Sequence, residues 1–128
     1  MKKFLFFLIL VMTIPVIGFT QPIFYRSYNV SIGFRDSLNS EIEWVVKNES
    51  TNILMSVTED KLEIYSKTKQ LYRTIGMISE DEKNSVWIMV DSDNKKCAVI
   101  IGNHADTNIQ YLQIEYNDSV ILYFIKPD

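Results

Sequence analysis

Residues 55–64 read Met55-Ser56-Val57-Thr58-Glu59-Asp60-Lys61-Leu62-Glu63-Ile64, and this stretch decides the fold. Apolar and polar residues alternate on both sides of Glu59–Asp60. Alternation of period two is the mark of a strand with one buried face. With Glu59–Asp60 as a two-residue loop, Val57 faces Leu62 and Met55 faces Ile64, while Ser56 faces Glu63 on the other side. The chain therefore turns back on itself here as an antiparallel hairpin.

Two further turns give the same kind of result. With Asp93–Asn94 as a loop, Val90 faces Cys97, Ile88 faces Val99, and Asp91 meets Lys96 as an opposite-charge cross-strand pair. With Asn117–Asp118 as a loop, Ile114 faces Ile121 and Leu112 faces Tyr123. Asn and Asp tolerate the positive φ that tight hairpins demand. Three independent turns with sensible pairings outweigh propensity alone.

The remaining segments fall into line. Tyr28, Val30, Ile32 and Phe34 alternate with polar or small residues as a half-buried first strand, and Gln70–Met77 supplies another. Trp87–Val90 and Val120–Ile125 are apolar on both faces, as strands covered on both sides are. Ser37–Lys47 has two readings. Ile42, Trp44 and Val46 alternate as a strand, whereas Ser40 with Glu43 matches a capping box and Leu38, Ile42 and Val45 fit helical spacing. The richness in β-branched residues favours strand. The expectation is an all-β domain: one antiparallel meander of eight or nine short strands, with Asn48–Asn52 as one of its loops, forming a small barrel or a sandwich.

The N-terminus reads differently. Lys2 and Lys3 precede an apolar run from Phe4 to Ile17, and Pro15 and Gly18 break it. Gly18 and Thr20 are small residues at the −3 and −1 positions of a cut before Gln21, so residues 1–20 read as a cleaved signal peptide and residues 21–128 as one domain. The run is shorter than the roughly 20 residues that span a bilayer, so no stable membrane insertion is expected after cleavage. The expected destination of a Sec-type signal is the periplasm or the extracellular space.

Cleavage before Gln21 leaves 11 of the 13 basic residues against 16 acidic ones, a net charge of −5. An acidic chain without a basic cluster neutralises few phosphates, so nucleic acid is not an expected partner. Cys97 is the single cysteine and no intrachain disulfide forms. It lies in Cys97-Ala98-Val99-Ile100-Ile101 and reads as a buried, inert core residue rather than a nucleophile, which needs exposure and a partner that lowers its pKa.

Motifs for chemistry are sparse. The sequence has no phosphate-binding glycine loop, no G-x-S-x-G elbow and no H-E-x-x-H. His104 is the single histidine, in the turn-like run Asn103-His104-Ala105-Asp106-Thr107-Asn108, and one histidine does not make a multi-histidine zinc site. Asp91-Ser92-Asp93-Asn94 opens like a calcium loop, but Lys95 and Lys96 stand where ligands belong. No catalytic, cofactor or metal residues are assigned, and no cofactor is expected. The format of signal peptide, about 100 residues and acidic charge is similar to that of small exported β-barrel inhibitors of cell-wall hydrolases, a likeness of fold format without a shared motif.

Strand parity gives a candidate partner-binding end. In a meander, successive connections alternate between the two ends. Glu59, Asp60, Glu80, Asp81, Glu82, His104 and Asp106 then fall at one end, together with Asp36–Ser40 and Asp128, while Lys67, Lys69, Lys95 and Lys96 fall towards the other. The expected function is a non-catalytic binding or inhibitor-type domain acting on a protein or small ligand, with the acidic end reading a basic surface or a cation. A hydrolase using two carboxylates and a structural or assembly subunit are the alternatives.

Overall fold

The computed structural model describes residues 21–36, 39–80, 84–103 and 108–128. Eight strands among them follow one another as β1 (Ile23–Asp36), β2 (Asn39–Val57), β3 (Lys61–Ile64), β4 (Gln70–Glu80), β5 (Asn84–Val90), β6 (Lys96–Asn103), β7 (Gln110–Glu115) and β8 (Ser119–Pro127). Each pairs antiparallel with the next, and β8 pairs back onto β1, closing a barrel. The choice between barrel and sandwich thus resolves to the barrel. Residues 1–20 lie outside the described set.

The first and third hairpins have the expected registers. Met55 pairs with Ile64, Ser56 with Glu63 and Val57 with Leu62. Leu112 pairs with Tyr123 and Ile114 with Ile121. The second hairpin is displaced by one residue: Cys97 pairs with Met89 rather than Val90, Val90 with Lys96, and Ile88 with Ala98 rather than Val99. The cause is a longer turn. Asn94 takes φ 63°, its amide reaches the Asp91 carbonyl at 3.0 Å, and Asp91 N donates to Lys95 O at 3.0 Å. This is a three-residue loop with its last residue left-handed, which Asn accepts more readily than most residues. Trp87 and Met89 consequently face the core, and Val86 and Ile88 face outward.

Asn48–Asn52 is not a turn. Ser37–Lys47 is strand from Asn39 onward, and β2 runs unbroken through both segments. Asn48, at φ 48°, marks an irregularity within it. The ladder between β1 and β2 shifts between Ser27 and Asn29 and again between Val30 and Ile32. Buried serine hydroxyls satisfy the backbone at these shifts, Ser27 Oγ accepting from Ile53 N at 3.2 Å and Ser31 Oγ from Asn48 N at 2.9 Å. The shifts also spoil the simple alternation of β1. Val30 is buried and Ile32 packs on the core, but Tyr28 and Phe34 stand exposed.

The core fills the barrel. Met55, Leu62, Ile64, Met89, Val99, Leu112 and Ile114 are almost wholly inaccessible and pack with Tyr72, Cys97, Tyr123 and Ile125 into one cluster. Closure depends on β3, whose four residues pair with three of β2 and four of β4. Burying Leu62 and Ile64 stabilises that seam by about 1.5–3 kcal/mol each. Outside it, Glu63 holds Lys69 at 2.7 Å and Lys61 at 3.5 Å. The Lys69 contact, against some burial, lowers the Glu63 pKa.

Candidate functional site

The parity expected from the sequence breaks at β2, where Asn48–Asn52 is strand and not a connection. Because β2 is continuous, the connection after Asp36 falls beside the Asn117–Asp118 turn, where Arg35 N donates to Asp118 O at 2.9 Å, and not at the acidic end. The segments 81–83 and 104–107 hold Asp81, Glu82, His104 and Asp106, which lie outside the described residues. The strand ends bordering them are neighbours: Glu80 pairs with Ser85, Ser85 with Ile101, and Asn84 with Gly102.

Glu59 and Asp60 are set apart from these. Their turn is built by Thr58, whose Oγ1 accepts from the amides of Asp60 and Lys61 at 3.2 and 3.1 Å. Asp60 O in turn accepts from Thr74 N at 2.8 Å, which fixes the turn beside Thr74 on β4. Glu80 lies six residues further along that strand, roughly 20 Å at the usual strand rise. Glu59 and Asp60 therefore form no cluster with Glu80. Asp128, placed there as well, is neutralised by Arg26 Nε at 2.7 Å.

The other end carries a polar network that sequence reading did not single out. Asp91 Oδ1 accepts from the amides of Asp93 and Lys95 at 2.8 and 2.9 Å, closing its own turn. Asp91 Oδ2 accepts from the Tyr116 hydroxyl at 2.7 Å, across to the next turn at that end. Burial alone raises the Asp91 pKa, but the hydrogen bonds from Tyr116, Lys95 and Asp93 outweigh it and the net displacement is downward. Burial, with the Asp91 contact, pushes the Tyr116 hydroxyl up. Tyr72, buried against Tyr123, is pushed up to about 12 and donates to Gln70 Oε1 at 2.7 Å. Burial and the Asp91 charge push the Cys97 thiol up to about 11. The single sequence cue was Asp91 before a turn, an Asx signal.

Two of the shallow grooves on the outside lie among the described residues. One of about 350 Å³ runs past Arg35, Ile88, Lys96 and Glu115, where Arg35 Nη2 donates to Glu115 at 2.7 Å. The other, of about 410 Å³, lies between Tyr28, Ile109 and Lys126, with the Lys126 ammonium 6.0 Å from the Tyr28 ring centre. Among the described residues no group of three or more His, Cys, Asp or Glu is arranged to hold a metal ion.

The wall formed by β4, β5 and β6 is apolar. Gly76, Ile88 and Ala98 lie side by side across it, as do Ser79, Val86 and Ile100. At the ladder shifts beside them Ile75 and Ile78 are 55% and 62% exposed, while Met77, paired with Trp87 on the other face, is 50% exposed.

Comparison with known protein families, with curated proteins and with solved structures finds no match to this chain.

Proposed function

We propose that this chain is an exported, non-catalytic binding domain of the inhibitor type, processed before Gln21 and acting in the periplasm or outside the cell. Its partner surface includes the barrel end that carries Glu59, Asp60 and Glu80, with Asp81, Glu82, His104 and Asp106 in the adjoining segments. The observation that carries this reading is the packed interior. Core side chains occupy the barrel, so a partner meets the loops and the outer wall, where binding residues on rigid β scaffolds tend to lie. Among the described residues the displaced carboxylates accord with this reading. Glu63 and Asp91 are both lowered, whereas a carboxylate acting as general acid needs a raised one.

The test joins binding to processing. The exported protein, recovered after secretion, should begin at Gln21. Immobilised, it should capture a defined protein from the fluid of its own compartment, and salt should weaken that capture. Replacing Glu59, Asp60 and Glu80 together by Lys should abolish it. Reproducible turnover of a substrate, lost on changing one acidic residue, would overturn the reading in favour of a carboxylate hydrolase.

A further inference from the structure

Tyr28 stands on a bulge. Ser27 pairs with Ile125 and Asn29 with Phe124, so Tyr28 is an extra residue with no partner of its own on β8. A bulge of this kind re-aims a side chain out of the ladder. Tyr123 and Ile125 face the core, so Phe124 and Lys126 face outward. The Tyr28 ring lies beside both, stacked on Phe124 at 6.4 Å with 26° between the planes and 6.0 Å from the Lys126 ammonium. It nevertheless stays 40% exposed. Its exposed part borders the groove of about 410 Å³, which Asn108, Ile109, Gln110 and Lys126 also line.

Charge is unevenly spread around this groove. Arg26 lies opposite Lys126 in the ladder, but Arg26 is held by Asp128 at 2.7 Å and by Asn52 at 3.2 Å. Among the described residues no carboxylate pairs with Lys126, and none lines the groove. An acidic chain thus keeps an uncompensated cation beside an open aromatic ring.

We propose that this groove binds a sugar residue carrying a carboxylate, a uronic acid unit of an acidic glycan. The apolar C–H face of the pyranose lies on Tyr28, whose amphipathic ring offers flat area at little cost in conformational entropy. The sugar carboxylate meets Lys126 as a charge-assisted hydrogen bond. The amides of Asn108 and Gln110 both donate and accept, as sugar hydroxyls require. Depth decides against an apolar anion. Sites for apolar ligands enclose most of the ligand surface, whereas this groove is shallow and leaves its occupant half in water. A glycan keeps its outward hydroxyls hydrated there. None of the acidic-end residues lines the groove, so the site stands apart from the partner surface and does not depend on it.

Nuclear magnetic resonance titration of the exported protein tests the proposal. The probes are trigalacturonic acid, a tetrasaccharide of alternating glucuronate and N-acetylglucosamine, and the methyl esters of both. The expected result is shift changes at Tyr28 and Lys126 with a Kd on the order of 1 mM for at least one acid. Its uncharged ester should bind roughly twofold to fivefold more weakly, the worth of one exposed ion pair. Lys126→Gln should remove that difference. Tyr28→Ala should weaken binding about tenfold, and Tyr28→Trp should restore it, with the circular dichroism unchanged throughout. Lys96→Gln, in the other groove, should leave binding as it was. Failure of both acids to bind at tens of millimolar would overturn the proposal. So would binding that survives Tyr28→Ala, that does not distinguish acid from ester, or that is lost in Lys96→Gln.

Discussion

Tyr116 donates its hydroxyl to Asp91 Oδ2 at 2.7 Å and so ties together two turns 25 residues apart at one end of the barrel. The same carboxylate caps its own turn through Oδ1, so a single charged group organises both connections. Tyr116→Phe should cost about 1–2 kcal/mol, a hydrogen bond to a charged but partly exposed acceptor. Urea denaturation checks this.

The pH dependence follows from the direction of the Asp91 displacement. Its folded pKa lies below the ordinary 3.8, so the folded state favours the carboxylate. The resulting stability is full above the unfolded value and is lost as the pH falls through the folded one. Asp91→Asn should flatten the acid limb of a stability–pH curve below about pH 4.5 while lowering stability at pH 7.

At alkaline pH the tyrosines govern. Tyr25, Tyr72, Tyr116 and Tyr123 are all raised above the ordinary 10.0, chiefly by burial. The stability they lend is complete below that value and disappears as the pH rises towards the folded values. Spectrophotometric titration should show these tyrosines ionising together with loss of near-ultraviolet circular dichroism, above about pH 10.

Gly33 is required by a close approach. A Cβ there would collide with Ile42 Cγ2, lie 2.9 Å from Trp44 Cε3 and lie 3.2 Å from Glu43 O. The paired positions Gly33–Trp44 and Arg35–Ile42 bring those side chains over the glycine. Gly33→Ala should lower stability by about 1–3 kcal/mol, the usual cost of overpacking. Part of that loss should return when Ile42→Ala is added, as thermal melting of the single and double variants would show.

Cys97 is 4% exposed, its thiol donates towards Met89 O at 3.7 Å, and burial raises its pKa to about 11. Labelling by a thiol reagent at pH 8 should therefore proceed only through unfolding. Cys97→Ala should cost on the order of 1 kcal/mol.

How much was legible in the sequence depended on how local the deciding interaction was. Glu59–Asp60 and Asn117–Asp118 join strands through the shortest loops, so alternation on either side determined both the turn and the register. The Asp91–Lys95 turn defeated the same method by one residue. Alternation alone does not distinguish a two-residue loop from a three-residue loop closed by a left-handed Asn94, and that single residue moves Met89 and Trp87 to the core face. Asn48–Asn52 had the composition of a loop, yet it continues β2 because the Ser27 and Ser31 hydroxyls from the neighbouring strand complete its hydrogen bonds.

The sequence by itself determined an all-β antiparallel meander, two of its hairpin registers and a buried cysteine. These follow from side-chain period and turn chemistry, which act between near neighbours. Only the tertiary structure decided that the meander closes, that a four-residue β3 closes it, that Glu80 stands far along the strand from Glu59, and that Ile75–Glu80 pairs with β5 alone among the described strands. Those features depend on the stagger of each strand against the next, accumulated around the whole barrel. Stagger is set by packing between residues distant in sequence, and no local pattern records it.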